Sequence, residues 1–559
     1  MPKKSHSTYC KTFRIMERSL HPLARIFHLL REEKSDISSI YFYAIFNGLI
    51  QLTLPVGIQA IIGFVVAGSL SASLVVLVSL IVGGVLVVGL LQMAQMKVIE
   101  KIQQTIFVRY AYAFASRIPK LNLQGVDGYY LPELVNRFFD TVSLQKSISK
   151  LLLDLPVAVI QILFGLLLLS FYHPAFILFG ILLLGVLWII LYLTGARGLS
   201  SSLAESSHKY ALAGWFEELA RAVHSFKFAG SALPIRKADE KTTAYLGARS
   251  THFKVLLTQY RALVAFKVLI TAAMLIVGVA LLLNQQINIG QFVAAEIIIV
   301  TVIASVEKII GNLDSVYDVL TSVEKLAKLT DKPLEQEGTY AALPEPQSIE
   351  ARALSFSYSD RLVLSKTSFR IEAGAKACIS GAEGSGKSSL LRLLTGAYPQ
   401  FSGALLIGGV PIANYDLDVL RSQMGISLLQ DAVFHGTLLE NLTFGRAADA
   451  AYLTQLMELT GLSSFLASLP RGYDTQLDPA GRRLPQGVVH KISLVRALAL
   501  RPRLLLFEDP GRHLEDPVRT RVAEYVLALP ATVVIASNDA IYRQRCTSLV
   551  ELAPPTQNA

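Results

Sequence analysis

The chain has 559 residues, of which 52% are hydrophobic and only 17% charged, against about 25% charged in an ordinary globular domain. Its mean hydropathy of +0.47 excludes intrinsic disorder, and Cys10, Cys378 and Cys546 are scattered without metal-type or redox-type spacing, which excludes a disulfide scaffold. The net charge of +10 is read as membrane topology, with Lys and Arg gathered on cytoplasmic loops, and not as a nucleic-acid partner.

Residues 1–36 carry Lys3, Lys4, Lys11, Arg14, Arg18, Arg25, Arg31 and Lys34 among apolar residues such as Ile15, Leu20, Phe27 and Leu30. This predicts a basic amphipathic helix, cytosolic or lying on the lipid surface, and not a secretory signal. Six apolar runs follow at about 38–67, 72–95, 151–172, 175–195, 262–284 and 289–306. Each is close to the ~20 residues that cross a bilayer. The turns between paired runs carry no charge, whereas the connections 97–150 and 196–261 hold eight and ten Lys+Arg. The positive-inside bias then puts both termini and the long connections in the cytoplasm. Those connections are too long for simple turns, so the spans are expected to continue as helices beyond the membrane.

Asn47, Gln51, Pro55 and Gln59 recur every four residues in the first run. They share one helical face, which can line a transport pathway or hydrogen-bond to a neighbouring helix. Glu296 and Lys267 lie about eight and about 17 residues from the same outer turn, roughly 12 and 25 Å deep at 1.5 Å per residue. The difference in depth argues against a Lys267–Glu296 pair and leaves Glu296 as a further pathway candidate. The domain plan is therefore an N-terminal helix over 1–36, a six-helix membrane domain over 37–312, a helix and linker over 313–346, a nucleotide-binding domain over 347–553 and a tail over 554–559.

Beyond residue 348, short apolar strands such as 377–380, 504–507 and 532–536 alternate with helical segments, the pattern of a parallel α/β sheet. Residues Gly381 to Ser388 read GAEGSGKS, which fits GxxxxGK[ST] between a strand and a helix. In that setting Gly381, Gly384, Ser385, Gly386, Ser388 and Ser389 cradle a phosphate chain at a helix N-terminus. Lys387 reaches the outer phosphates, and the Ser388 hydroxyl ligates Mg²⁺.

Six spans, long charged loops and a P-loop domain together resemble an exporter-type half-transporter of the ABC superfamily. Ser355-Phe356-Ser357-Tyr358 is similar to the A-loop, and the resemblance implies that Tyr358 stacks on adenine. Leu429-Gln430-Asp431 is similar to the Q-loop, which makes Gln430 a sensor of Mg²⁺. Glu508-Asp509 stands where the family has Asp-Glu, so Glu508 takes the Mg²⁺-associated position and Asp509 that of the residue polarising the attacking water. The resemblance further implies short coupling helices near 124–135 and 213–230. It is nearest to the peptide and type I protein secretion branch, and residues 1–36 are expected to be too short for the leader-cleaving protease domain some members carry.

Several elements depart from the family pattern. The signature LSGGQ is replaced by Leu484-Pro485-Gln486-Gly487-Val488, and Pro485 offers neither a hydroxyl nor a backbone N–H. Arg512-His513-Leu514-Glu515 replaces SALD, and Ser537 stands at the position of the switch histidine. The swapped carboxylates differ from the pattern by one methylene each, and a ~1 Å misplacement can cost ~100-fold in rate. The expected function is an integral membrane half-transporter, working as a homodimer or with a second half-transporter, using ATP and Mg²⁺ with slow hydrolysis. A bacterial inner membrane is the expected location, with a periplasmic adaptor and an outer-membrane channel as further partners. The competing expectation is a nucleotide-sensing regulatory or scaffolding subunit that does not hydrolyse.

Overall fold

The computed structural model describes residues 22–66, 72–341, 347–429, 433–481 and 483–554. The basic residues before Pro22, the Gly68–Ser71 turn, Gln430 and Asp431, and Pro344 to Pro346 lie outside them. The chain divides into two compact units, one of residues 1–119 and 128–332 and the other of 120–127 and 333–559.

The first unit is all-helical. Its helices are α1 (Pro22–Glu32), α2 (Lys34–Val66), α3 (Ala72–Arg117), α4 (Leu131–Asn136), α5 (Asp140–Tyr172), α6 (Ala175–Arg221), α7 (Val223–Ala229), α8 (Leu233–Leu283), α9 (Ile289–Gly311) and α10 (Leu313–Thr330). Six of its helical stretches are long and apolar enough to cross a membrane. The helices α3, α6 and α8, with 46, 47 and 51 residues, extend about 70 Å at 1.5 Å per residue. That is more than twice the ~30 Å hydrocarbon layer. Both α4 and α7 fall in the segments where short coupling helices are expected.

An apolar core of α5, α6, α8 and α9, including Leu169, Leu183, Phe266, Met274, Ile298 and Val302, holds the bundle together. Where helices approach closely, small residues make room: a Cβ on Gly198 would lie 2.1 Å from the Tyr317 ring. A capping box starts α9, with the Asn288 side chain accepting from the Gln291 amide and Gln291 returning the bond to Asn288, both at 2.8 Å. In α1, Phe27 is 71% exposed. Arg25 instead turns inward, its guanidinium donating to Asp331 at the end of α10. The described part of the N-terminal helix thus presents a fixed ion pair to the bundle as well as an apolar face.

The second unit is α/β. Its strands are β1 (Ile349–Tyr358), β2 (Arg361–Ile371), β3 (Lys376–Gly381), β4 (Ser402–Ile407), β5 (Val410–Pro411), β6 (Met424–Ser427), β7 (Gly436–Thr437), β8 (Gln476–Leu477), β9 (Leu504–Glu508), β10 (Thr532–Ala536) and β11 (Ser548–Leu552). Its helices are α11 (Lys387–Leu394), α12 (Leu417–Ser422), α13 (Leu438–Thr443), α14 (Ala450–Leu459), α15 (Ser463–Ser468), α16 (Gln486–Leu498), α17 (Asp516–Ala528) and α18 (Ala540–Arg545). One sheet is antiparallel in the order β2-β1-β4-β5; the other is parallel in the order β11-β3-β10-β9-β6. Successive side chains of a strand point to opposite faces. Leu504, Leu506, Ile379 and Val534 accordingly enter the core beneath α11, while Leu505, Phe507, Cys378 and Val533 enter the core beneath α16 and α17. The same alternation carries residue 508 to the α11 face.

The linker does not run free into this unit. Leu334 bridges Leu121, and Tyr340 bridges Tyr415. Lys120 pairs with Glu337 at 3.1 Å and Asp418 at 2.7 Å, and Arg421 grips Glu335 at 2.7 and 2.8 Å. Residues 120–127, expected to belong to the membrane domain, cluster with this unit because of these bonds, and the helix 313–330, expected with the linker, clusters with the first.

Gly425 in β6 offers a test of the packing. A Cβ there would meet the Ala497 carbonyl oxygen at 2.1 Å, a backbone atom that cannot move aside. Gly425→Ala should destabilise the α/β unit by about 1–3 kcal/mol, read as a lower denaturant midpoint of the full chain; an unchanged midpoint contradicts this packing.

Candidate nucleotide site

The loop 381–386 leaves the end of β3 and turns directly into α11. Gly386, at φ +91°, is the residue before the first helical turn. Its conformation disfavours any Cβ, and a Cβ there would also meet Leu364 at 2.7 Å. At Gly381 a Cβ would meet the Leu552 carbonyl oxygen at 2.4 Å. The side chain of Asn538 clamps Gly381, accepting from its N–H at 3.2 Å and donating to its carbonyl at 3.0 Å. The ammonium of Lys387 donates to the carbonyls of Gly381 and Ala382 at 2.8 and 3.0 Å.

Ser388 Oγ donates to Glu508 Oε1, and the other carboxylate oxygen accepts the Leu429 N–H at 3.0 Å. Glu508 is only 6% exposed. Asp509, next in the chain, is half-buried at φ +43°, with its N–H bonded to the Ala536 carbonyl at 3.0 Å. These residues line one cavity of about 530 Å³, together with Tyr358, Arg361, Glu383, Gly384, Ser385, Gly386, Ser389, Arg512 and Asn538. At its wall Tyr358 packs edge-on against Phe356 and Tyr398, with ring centres 4.8 and 5.3 Å apart. Burial, reinforced by Tyr358, pushes the Tyr398 hydroxyl up to about 12.

The residues present fit a magnesium nucleotide. Ser385 Oγ is buried without a partner, inside a loop of amides at a helix N-terminus that suits a phosphate. Ser388 and Glu508 supply the hard oxygen ligands that Mg²⁺ takes.

Two groups of predicted residues fall elsewhere. Ser537 does not line the cavity: it is 2% exposed, and its Oγ accepts the Asp539 N–H at 3.1 Å. Strand alternation sends Ala536 and Asn538 to the cavity wall and Ser537 to the other side. Pro485, Gln486 and Gly487, at the start of α16, do not line this cavity either, and the family resemblance sets that stretch against the nucleotide of the opposite subunit. In α16 His490 meets the Pro510 carbonyl through Nε2 at 3.1 Å, and a Cβ added to Gly487 would come within 3.2 Å of the His513 carbonyl oxygen. Sequence reasoning missed Arg361, Glu383, Arg512 and Asn538 as lining residues; Glu383, inside the GAEGSGKS loop, and Arg512, inside the replaced SALD segment, carried a signal. Gln430 lies outside the described residues.

Among the pathway candidates, Gln51 accepts from Gln161, whose Oε1 takes the Ser305 hydroxyl at 2.7 Å, and Gln59 accepts the Tyr172 hydroxyl at 2.6 Å. Gln51 and Gln59 are thus bonded between helices. Asn47 is 1% exposed with neither amide atom bonded, and Glu296 Oε2 is buried without a partner. Lys267 pairs with Glu307 at 3.0 Å, in line with its predicted separation from Glu296. A further contact was invisible in the cysteine spacing: the Cys546 thiol donates to Cys378, which draws the Cys378 thiol down.

The ABC transporter family model matches residues 364–512, which span the loop, the signature position and the Glu508-Asp509 strand. The chain is similar in fold to a bacterial Atm1-family ABC exporter with ATP bound, at a TM-score of 0.81 and 19% identity, covering 93% of this chain and 94% of that one. It is 30% identical over 286 residues to an ATP-dependent lipid A-core flippase of Burkholderia orbicola (strain AU 1054), covering 50% of this chain and 47% of that protein. It is 29% identical over 299 residues to the alpha-hemolysin translocation ATP-binding protein HlyB of Escherichia coli O157:H7, covering 52% and 42%. The chain thus spans about half the length of the curated relatives it matches.

The buried His490 gives this α/β unit a pH signature. Burial pushes its imidazole below the usual value, aided by His513 and Arg512 and opposed by the Pro510 carbonyl and Asp509. The unfolded chain takes up this proton near pH ~6.5, whereas the folded chain takes it up only at lower pH. Stability should therefore be full above that value and fall as the pH drops below it. His490→Gln should flatten this part of the stability–pH curve; an unchanged slope contradicts the assignment.

Proposed function

We propose that the chain is an ATP-dependent exporter half-transporter, in which a dimer of two copies, or one copy with a second ABC half-transporter, couples ATP binding and slow hydrolysis to export of a substrate. One observation carries this reading: a phosphate cradle, the adjacent carboxylates Glu508 and Asp509 and an aromatic platform line one cavity in a chain that also has six helices able to cross a membrane. The charge of the long connections supports an orientation with both termini in the cytoplasm of a bacterial inner membrane. An adaptor and an outer-membrane channel remain part of the reading through the similarity to HlyB.

In this reading Tyr358 stacks on the adenine and the amides of 384–389 hold the phosphates. Lys387 leaves the loop carbonyls to pair with the outer phosphates. Ser388, Glu508 and Gln430 would hold Mg²⁺, which neutralises phosphate charge. Asp509 orients the attacking water and takes its proton. Its shorter side chain makes that step slow, as does the donor missing at Pro485, which the family resemblance sets against the ATP held by the opposite subunit. Among the pathway candidates, Asn47 and Glu296 keep buried polar atoms without a partner and best suit a polar part of the cargo.

The test is ATP turnover and direct ATP binding by the full chain in lipid nanodiscs. Lys387→Ala should lose both. Asp509→Asn should keep binding and lose ~100-fold or more in turnover. Tight ATP binding by the unmodified chain with no turnover above the Lys387→Ala background would sink the pump and leave a nucleotide sensor.

A further inference from the structure

We propose that Arg512 binds the terminal phosphate of ATP held in its own subunit's cavity, supplying the cation that position 537 lacks. The proposal rests on the nucleotide reading above and extends it to a residue outside the recognised pattern.

Arg512 lines the cavity together with Lys387, Ser388, Glu508 and Asp509. Its backbone is fixed. Residues 509–512 form a tight turn closed by the Arg512 N–H donating to the Asp509 carbonyl at 2.9 Å, and Asp509 is in turn anchored to the end of β10 through Ala536 at 3.0 Å. The turn leaves the carboxyl end of a parallel strand, where open α/β sheets bind their ligands. It places Arg512 three residues from the carboxylate that faces the attacking water. The residue is exposed, and among the described residues its guanidinium forms no ion pair.

The position also has a need for such a group. Lys387 is the loop's own cation, and Arg361 sits beside Tyr358 at the start of β2. The Ser537 hydroxyl is turned toward the Asp539 amide, away from the cavity. At the end formed by β9 and β10, Asn538 is already committed to Gly381. Arg512 is thus the cation available to charge developing on the terminal phosphate. A guanidinium suits the role: it is charged at all accessible pH values and presents a fork of donors matched to phosphate oxygens. In other nucleotide hydrolases an arginine supplied in cis or in trans stabilises the charge of the transferring phosphoryl group.

The full chain in nanodiscs is titrated with MgATP and MgADP, as the unmodified protein and as Arg512→Ala, Arg512→Lys and Lys387→Ala. Unmodified protein should prefer ATP. Arg512→Ala should lose ~10-fold or more in ATP affinity with ADP affinity unchanged, and its kcat should fall as well. Arg512→Lys should recover part of both, which a merely structural role would not produce. Preference for ATP retained in Arg512→Ala overturns the proposal, as does an unmodified protein that does not distinguish the two nucleotides. If the unmodified chain binds neither nucleotide better than Lys387→Ala does, the nucleotide reading itself fails, an outcome separate from the other two.

Discussion

The contact between Ser388 and Glu508 is the constraint on which the α/β unit turns. It ties the first turn of α11 to the end of β9, the strand flanked by β10 and β6. A carboxylate that is 6% exposed must have its oxygens bonded, because a buried charge without partners is costly. One oxygen takes the serine and the other takes the Leu429 amide. Three chain segments far apart in sequence therefore converge on one side chain. The next residue, Asp509, must then leave the strand sharply, and its φ of +43° and its bond to Ala536 record that turn.

The departures from the family pattern are not independent of one another. Pro485 and Gly487 begin α16, His490 lies one turn later, and His490 and Gly487 face the turn 510–513 that follows Asp509. Where SALD would stand, the His513 carbonyl oxygen lies close enough to Gly487 that an added Cβ would come within 3.2 Å of it, and the His513 ring stands edge-on to His490 with ring centres 6.4 Å apart. The altered signature, the swapped carboxylates and the altered segment after them thus form one packed neighbourhood. Changes in one of them alter the space available to the others, since interiors are close-packed.

The helical unit obeys a different economy. A backbone hydrogen-bonded within each helix is the requirement for crossing lipid, and the long helices meet it along most of their length; Pro55 in α2 and Pro156 in α5 interrupt the ladder, and the Leu152 carbonyl opposite Pro156 accepts instead from the Gln95 side chain at 3.1 Å. Polar side chains between them then bond to one another, as in the Gln51–Gln161–Ser305 chain. Further along, Gln259 donates to Thr194 and Tyr317, each at 2.8 Å, and joins α6, α8 and α10. Such bonds fix which helix faces meet, a role apolar contacts alone fill poorly where lipid is as apolar as the core. Against that background, Asn47 and Glu296 stand out as groups whose bonding is incomplete.

Local patterns determined the elements. The six apolar runs announced six long helices, because about 20 apolar residues suffice to cross a membrane. GAEGSGKS between a strand and a helix announced the phosphate loop, and an alternating strand carried Glu508 to the loop's face. These features depend on residues close together in the chain, whose geometry the backbone enforces. Tertiary packing decided the rest. It placed Asn538 and not Ser537 at the cavity, because the wall follows the register of β10 against β3. It brought Arg512 to the cavity wall, set the free thiols of Cys378 and Cys546 together across 168 positions, and attached residues 120–127 to the linker. Gln51 and Gln161, 110 positions apart, met for the same reason. Such pairings are fixed by which surfaces fit when whole elements pack, and no spacing within one segment encodes them.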